Sequence, residues 1–342
     1  MKRMKRAIAL LLAVVMCFSV CPVSAFATTT GEEAITTETT EPHPEQDTME
    51  SPTVPVPDEE EQVVPETEPP LEVTSEEDPE EPTESEVEIV ANGSCGTNVY
   101  WELDTEGMLR ISTTGAGVMN NYSSGSSSKP AYSYRSQVLK LVVEEGITSI
   151  GNYAFYNYTN LKEVSLPETL TKIGNYAFQS CTSLTEIVIP DSVTELGYYV
   201  FNNCTSLTKA VLTDGITSLG ERTFYGCTSL VDVDLPENLV TIGIYAFYNC
   251  KALPGITFPE SLTTIGNYAF KNCTAITGTL VIPDLVTSIG TEAFYNCDGL
   301  IGLVVDDSAT SIGGHAFYDC DGLLSVELGD CVTTIGNNAF YG

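Results

Sequence analysis

From Gly146 to Gly342 the hydrophobic positions recur with a fixed period. The marker is an Ile or Leu followed by Gly: Ile150-Gly151, Ile173-Gly174, Leu196-Gly197, Leu219-Gly220, Ile242-Gly243, Ile265-Gly266, Ile289-Gly290, Ile312-Gly313 and Ile335-Gly336. Seven of the eight intervals are 23 residues, and the interval into Ile289 is 24 because Thr277-Gly278-Thr279 holds one extra residue. A Phe follows each marker Gly by four positions, from Phe155 to Phe340. A repeat of this length indicates a stacked architecture of about nine coils, the last one truncated. Within one unit, Ile187 and Ile189 alternate with Glu186 and Val188, so a short strand turns one face inward. Pro190 ends that strand. Val193-Thr194-Glu195-Leu196-Gly197 reads as a second extended piece in which Gly permits a tight bend. Tyr199 to Cys204 reads as about one helical turn with Phe201 and Cys204 inward. No unit can bury its apolar face alone, and stacking adds each strand to a parallel sheet.

The segment before the repeat follows a different pattern. Val99-Tyr100-Trp101-Glu102-Leu103 and Met108-Leu109-Arg110-Ile111 alternate on either side of Asp104-Thr105-Glu106-Gly107, which predicts a β-hairpin. Residues 89–145 are therefore assigned as a small β cap over the first coil, with Trp101 packed in it. Residues 1–27 read as a signal peptide: the basic Lys2, Arg3, Lys5 and Arg6, an apolar run from Ala7 to Met16, and Ala25-Phe26-Ala27 as the cleavage site. That run is short for a spanning helix, so no integral span is expected after cleavage near Ala27.

Residues 28–88 hold 22 Asp or Glu, 10 Pro and no Lys or Arg. Such a segment has too little apolar surface to offset its ordering entropy, which predicts a disordered linker. The whole chain carries 47 acidic against 14 basic side chains, a formal charge of -33. This balance argues against a nucleic-acid partner and against docking on anionic lipid. Only two His and one Trp are present, which leaves little from which to build a His-centred catalytic or metal site.

The unit L-x-x-V-x-I-P-x-x-V-T-x-I-G-x-x-A-F-x-x-C resembles the BspA-type leucine-rich repeat family, closely so from Leu184 through Phe201 and from Leu230 through Cys250. Ser94 to Leu103 is similar to the N-terminal cap of that family. The resemblance implies an α/β leucine-rich-repeat solenoid of 23-residue units, with a parallel β-sheet and short convex turns or helices. It further implies a secreted or cell-surface bacterial protein with an adhesin-like module for extracellular proteins, and it transfers no catalytic residue and no cofactor. Several coils depart from the pattern: Tyr158 stands for Cys, Thr213, Asp306 and Gly329 stand for Pro, and Val200 and Thr223 stand for Ala. These departures are expected to weaken individual coils.

Candidate chemistry is sparse. Cys181, Cys204, Cys227, Cys250, Cys273, Cys297 and Cys320 share one repeat position, unlike the close Cys pairs of zinc sites, so they read as a buried column. Cys95 and Cys331 lie outside that column and are expected to be the more reactive thiols. His315 replaces a column Tyr and reads as a surface substitution, and His43 falls in the linker. Asp232 and Asp234 share a strand face, but Lys209, Val211, Gly255 and Thr257 at the equivalent positions offer no second carboxylate pair, so no enzyme is expected.

The remaining candidate is surface. Tyr153, Tyr176, Tyr199, Tyr245 and Tyr268 form one column, and Tyr156, Tyr225, Tyr248, Tyr295, Tyr318 and Tyr341 form a second. Tyr offers stiff area with a polar tip, so the partly exposed rings are candidates for binding an extracellular protein or glycan. The alternative is that they stack and shield the core. The expected function is non-enzymatic recognition. Two alternatives remain: a structural, self-associating envelope element pairing through an uncapped C-terminal end, and the recognition half of a larger secreted enzyme.

Overall fold

The computed structural model describes residues 87–342. The expected signal peptide and nearly all of the acidic linker lie outside the described residues. The chain divides into two units, Met1–Glu84 and Ser85–Gly342, and the fold is that of the second.

Two antiparallel strands, β1 (Ile89–Asp104) and β2 (Met108–Met119), make the hairpin. Asp104 Oδ1 accepts the N–H groups of Glu106 and Met108, both at 2.9 Å, and Gly107 takes the φ of +82° that the turn requires. Trp101 packs partly buried against the core. β2 then serves two ladders at once. Residues 108–111 pair in parallel with β3 (Lys140–Val143), and residues 117–118 pair with β4 (Ile147–Ile150). One hairpin thereby covers both strand edges of the first coil.

Later coils add strands to both ladders, except that the coil at 253–259 gives none to the first. The first ladder continues through β5 (Glu163–Ser165), β7 (Glu186–Val188), β9 (Lys209–Val211), β11 (Asp232–Asp234), β14 (Gly278–Ile282), β16 (Leu300–Val305) and β18 (Ser325–Leu328). The second holds β6 (Lys172–Ile173), β8 (Glu195–Leu196), β10 (Ser218–Leu219), β12 (Thr241–Ile242), β13 (Thr264–Ile265), β15 (Ser288–Ile289), β17 (Ser311–Ile312) and β19 (Thr334–Ile335). Equivalent residues pair in register, as in Ile312 with Ile335 and Ala210 with Val233. The inward side chains merge into one core from Cys95 to Ala339.

The turn side of each coil is built of turns, not of the helical turn expected at Tyr199–Cys204. Tyr199 and Asn203 both take left-handed φ, 59° and 58°. That conformation every four residues stops a right-handed helix. Alternate N–H groups reach instead to the next coil: Tyr199 N to Glu221 O at 2.9 Å, Phe201 N to Thr223 O at 2.9 Å and Asn203 N to Tyr225 O at 2.7 Å. Among the described residues the one helical element is the 3-10 turn Tyr132–Tyr134.

Two inward columns hold the turn side. The nine Phe rings form a continuous stack with centroid spacings of 5.1 to 5.8 Å. The column Cys residues do more than fill space. Each Sγ donates to the carbonyl of the Phe in the preceding coil, as in Cys204 to Phe178 O at 3.2 Å and Cys273 to Phe247 O at 3.0 Å. Tyr158, in the first coil, has no preceding coil beneath it. Its ring is fully buried and its hydroxyl donates to Pro130 O, so this departure joins the first coil to the segment before it. Thr223 is likewise buried and bonded to Gly220 O at 2.9 Å. Both departures keep their side chains buried and hydrogen-bonded.

The marker Gly residues also differ from expectation. They do not take left-handed φ; apart from Gly220, which faces the Tyr198 ring, they sit where the backbone touches neighbouring backbone. A Cβ on Gly266 would lie 2.8 Å from Gly243 C, and one on Gly197 would lie 2.6 Å from Asn175 N. The first ladder breaks between β5 and β7 and again between β11 and β14, where the coil at 253–259 contributes no strand; the second breaks between β8 and β10. The equivalents of Pro254 donate across the ladder, as Thr208 N does to Thr185 O at 2.8 Å and Val231 N to Thr208 O at 3.0 Å. Proline has no N–H to offer there.

Candidate interaction surface

The two Tyr columns stand side by side on the turn side. In the first, Tyr153 stacks on Tyr176 at 4.4 Å, Tyr176 on Tyr199 at 4.6 Å and Tyr245 on Tyr268 at 4.6 Å. In the second, Tyr225 stacks on Tyr248 at 4.7 Å, Tyr295 on Tyr318 at 4.9 Å and Tyr318 on Tyr341 at 4.9 Å. Edge contacts join the columns, at 5.7 Å for Tyr153 with Tyr156 and 5.6 Å for Tyr245 with Tyr248. Apart from exposed Tyr341, these rings are half-buried. Within each column the stacked rings turn faces to one another.

Both columns contain a cation that period arithmetic alone could have located. Arg222, 23 residues after Tyr199, fills the first column between Tyr199 and Tyr245, with its guanidinium carbon 5.1 and 4.8 Å from their ring centroids. Lys271, 23 residues after Tyr248, fills the second, with Nζ 4.0 Å from the Tyr295 centroid. Each is also paired with an acid, Arg222 with Glu221 at 3.4 Å and Lys271 with Glu292. Such cation–ring contacts at partly exposed positions contribute about 0.5–1 kcal/mol each. Burial pushes the phenols of Tyr153, Tyr225, Tyr248 and Tyr268 up, and at Tyr199 the hydrogen bond to Glu221 adds to it. These hydroxyls therefore stay protonated and able to donate at neutral pH.

The first ladder presents a different outer face. In the early coils its charges are matched: Lys140 pairs with Glu163 at 3.3 Å, and Lys209 lies 3.6 Å from Asp232 and 4.0 Å from Glu186. Asp232 is thus part of an ion-pair ladder. From Gly255 onward the same columns hold Gly, Thr, Val and Ser until Glu327.

An acidic column escaped the sequence reading although its period was present. Glu145, Glu168, Asp191, Asp214, Glu237, Glu260, Asp284, Asp307 and Asp330 occupy one repeat position, and all nine are exposed. In some coils the carboxylate accepts the N–H of its successor, as Asp307 does from Asp330 at 3.1 Å. Asp306 is held above the usual carboxylate range by burial and then by Asp284, Asp307 and Glu260.

The remaining candidates resolve simply. His315 sits half-buried on a turn with Nε2 3.2 Å from Asn338 Nδ2. Cys95, expected to be reactive, is fully buried, and burial pushes its thiol up to about 12, which corrects that expectation. Cys331 is half-exposed. Among the described residues, no group of three or more His, Cys, Asp or Glu is arranged to hold a metal ion, and no helix is long and apolar enough to cross a membrane.

Parallel strands paired in register, coils of about 23 residues and stacked inward columns define a leucine-rich-repeat solenoid. The chain belongs to the BspA-type leucine-rich repeat family, whose model matches six copies over residues 128–250 and 277–342. The unmatched stretch between them contains the coil with no first-ladder strand. No relative among curated proteins matches. Among solved structures, a leucine-rich repeat protein from Bacteroides ovatus is similar at 24% identity over 71% of this chain and 78% of its own, with a TM-score of 0.47. One from Eubacterium ventriosum is similar at 22% identity over 74% and 95%, with a TM-score of 0.37. A leucine-rich cell surface protein from Faecalibacterium prausnitzii is similar at 19% identity over 69% and 95%, with a TM-score of 0.28.

Proposed function

We propose that this is a secreted or cell-surface, non-enzymatic recognition protein, an adhesin-like repeat module that binds an extracellular protein or glycan. In this reading residues 1–27 direct export, the acidic segment 28–88 is a spacer, residues 89–145 cap the solenoid, and residues 146–342 bind. The observation that carries it is the pair of Tyr columns. Most rings stack on a neighbour at 4.4 to 4.9 Å, and the residues stay partly exposed. A surface so ordered loses little side-chain entropy when it binds, which favours affinity. Because ring faces are covered, contact is through hydroxyls and edges, suited to hydrogen-bonding partners.

The test uses immobilised extracellular-matrix proteins and a glycan array, probed with the protein and with a variant carrying Tyr248→Ser, Tyr295→Ser and Tyr318→Ser. Binding lost in the variant, with its melting curve kept, supports the strip. Unchanged binding removes the Tyr columns from the reading.

A further inference from the structure

The later coils carry a face unlike the Tyr strip. On the outer side of the first ladder, Val281 and Val304 are register partners in β14 and β16. Beside them Leu324 N donates to Ile301 O at 2.8 Å, which sets these two side chains on adjacent coils. Val281, Ile301 and Leu324 are 52%, 51% and 84% exposed. Gly302 and Ser325, in register with Thr279, keep the floor between them low. Large apolar side chains turned to water on neighbouring strands are a mark of an interaction surface.

Carboxylates border this strip on both sides. Asp298 and Asp321 precede the strands; Asp284, Asp306–Asp307 and Asp330 follow them. The two sets act as separate fields. Asp298 is raised by burial and then by Asp321 and Asp319, and Asp306 by burial and then by Asp284, Asp307 and Glu260. No Lys or Arg occurs after Lys271, whereas residues 272–342 hold nine Asp or Glu. The compensating lysines of the early coils, Lys140 and Lys209, have no counterpart here. A second copy of this chain would bring the same negative charge and be repelled. The chain's own acidic segment 28–88 would be repelled as well.

We propose that the outer face of β14, β16 and β18, around Val281, Val304, Ile301 and Leu324, docks a basic polypeptide segment. Its apolar side chains cover the Val and Ile floor while Lys or Arg on either side meet the two carboxylate rims. The proposal rests on the recognition reading above but uses another face of the solenoid. Apolar contact supplies the affinity, and the flanking charge supplies orientation and rate of encounter.

The experiment uses the full chain and a photo-crosslinkable dodecapeptide of alternating Lys and Val, with Lys–Ser and Glu–Val dodecapeptides as controls, at low salt. The Lys–Val peptide is expected to bind at least about tenfold more tightly than Lys–Ser, and to crosslink within residues 277–330. The double variant Val281→Ser, Ile301→Ser, altered only at half-exposed positions, is expected to lose about that factor. Asp307→Asn with Asp330→Asn provides an independent loss that leaves the apolar residues in place. Equal binding of Lys–Val and Lys–Ser, or crosslinks confined to residues 28–88, overturns the proposal. So does unchanged binding in both variants with normal melting curves. The Tyr248, Tyr295 and Tyr318 variant is expected to bind the Lys–Val peptide normally, so loss at the Tyr strip and loss here are told apart.

Discussion

Replacing one glycine by alanine at two places should move stability in opposite directions. At Gly266 a new Cβ would lie 2.8 Å from both Gly243 C and Ile244 N, and 3.0 Å from Gly243 O. All three are backbone atoms of the neighbouring coil, and ordinary carbon contacts are near 3.5–4.0 Å. The coils must separate by several tenths of an ångström there, yet Gly266 N is also bonded to Ile242 O at 2.9 Å. Overpacking of this kind costs about 1–3 kcal/mol. The gain from a stiffer unfolded chain returns about 0.4–1 kcal/mol. At Gly255 the added Cβ meets nothing within 4 Å and the backbone is not left-handed, so only the gain remains. For a domain of this size, about 2–4 °C of melting temperature corresponds to each kcal/mol. With a net cost of about 1.3 kcal/mol, Gly266→Ala should therefore melt roughly 3–5 °C lower, and Gly255→Ala should melt slightly higher. Thermal unfolding followed by circular dichroism and by calorimetry measures both. If the two variants move in the same direction, or Gly266→Ala is neutral, the backbone-contact explanation of the marker Gly is wrong.

Three further outcomes follow from the same geometry. Phe247→Ala removes a fully buried ring stacked at 5.4 and 5.1 Å between Phe224 and Phe270, and should cost about 3–5 kcal/mol in urea unfolding; a loss below about 1 kcal/mol would show that the stack tolerates a gap. The thiols of Cys204 and Cys320 are pushed up to about 12 from 9.0, chiefly by burial. A raised thiol contributes stability that is fully present below pH 9 and is lost as pH rises toward 12, so the melting temperature should fall from pH 9 upward. Cys204→Ala should make that fall shallower, and an unchanged slope would count against it. Asp306 is raised by burial and by its acidic neighbours, so its ionised form destabilises the fold near neutrality. Asp306→Asn should raise the melting temperature at pH 7, and the gain should vanish once the carboxyl is protonated in acid; a gain that persists there would point to a cause other than charge.

Much of this protein can be read from one coil repeated nine times. The alternation of Ile187 and Ile189 with Glu186 and Val188 fixes which side is inward, because side chains on a strand alternate in direction. The 23-residue period then sets Phe over Phe, Cys over Cys and Tyr over Tyr, since identical units can stack only in register. The hairpin around Asp104–Gly107 was equally local, carried by turn residues and two alternating runs. The cations at Arg222 and Lys271 and the nine-residue acidic column were within reach of the same arithmetic, but they are substitutions or polar positions that no hydrophobic pattern highlights.

Tertiary structure decided what depends on the gap between coils. Whether a marker Gly serves a bend or a close approach is invisible in Ile-Gly itself; only the neighbouring coil, less than 3 Å from the absent Cβ, separates the two. The Cys thiols find their acceptors 26 or 27 residues earlier, at Phe carbonyls, a pairing set by how one coil lies on another. Cys95 stood outside the column in sequence and was read as reactive, yet it lies fully buried in the core. The fate of helical-looking turns such as Tyr199–Cys204 was settled by the N–H groups. They satisfy carbonyls of the next coil at 2.7 to 2.9 Å, so the left-handed residues cost less than a helix without those partners. Local pattern determines the coil, and contact between coils determines which of its atoms are buried and which stay exposed.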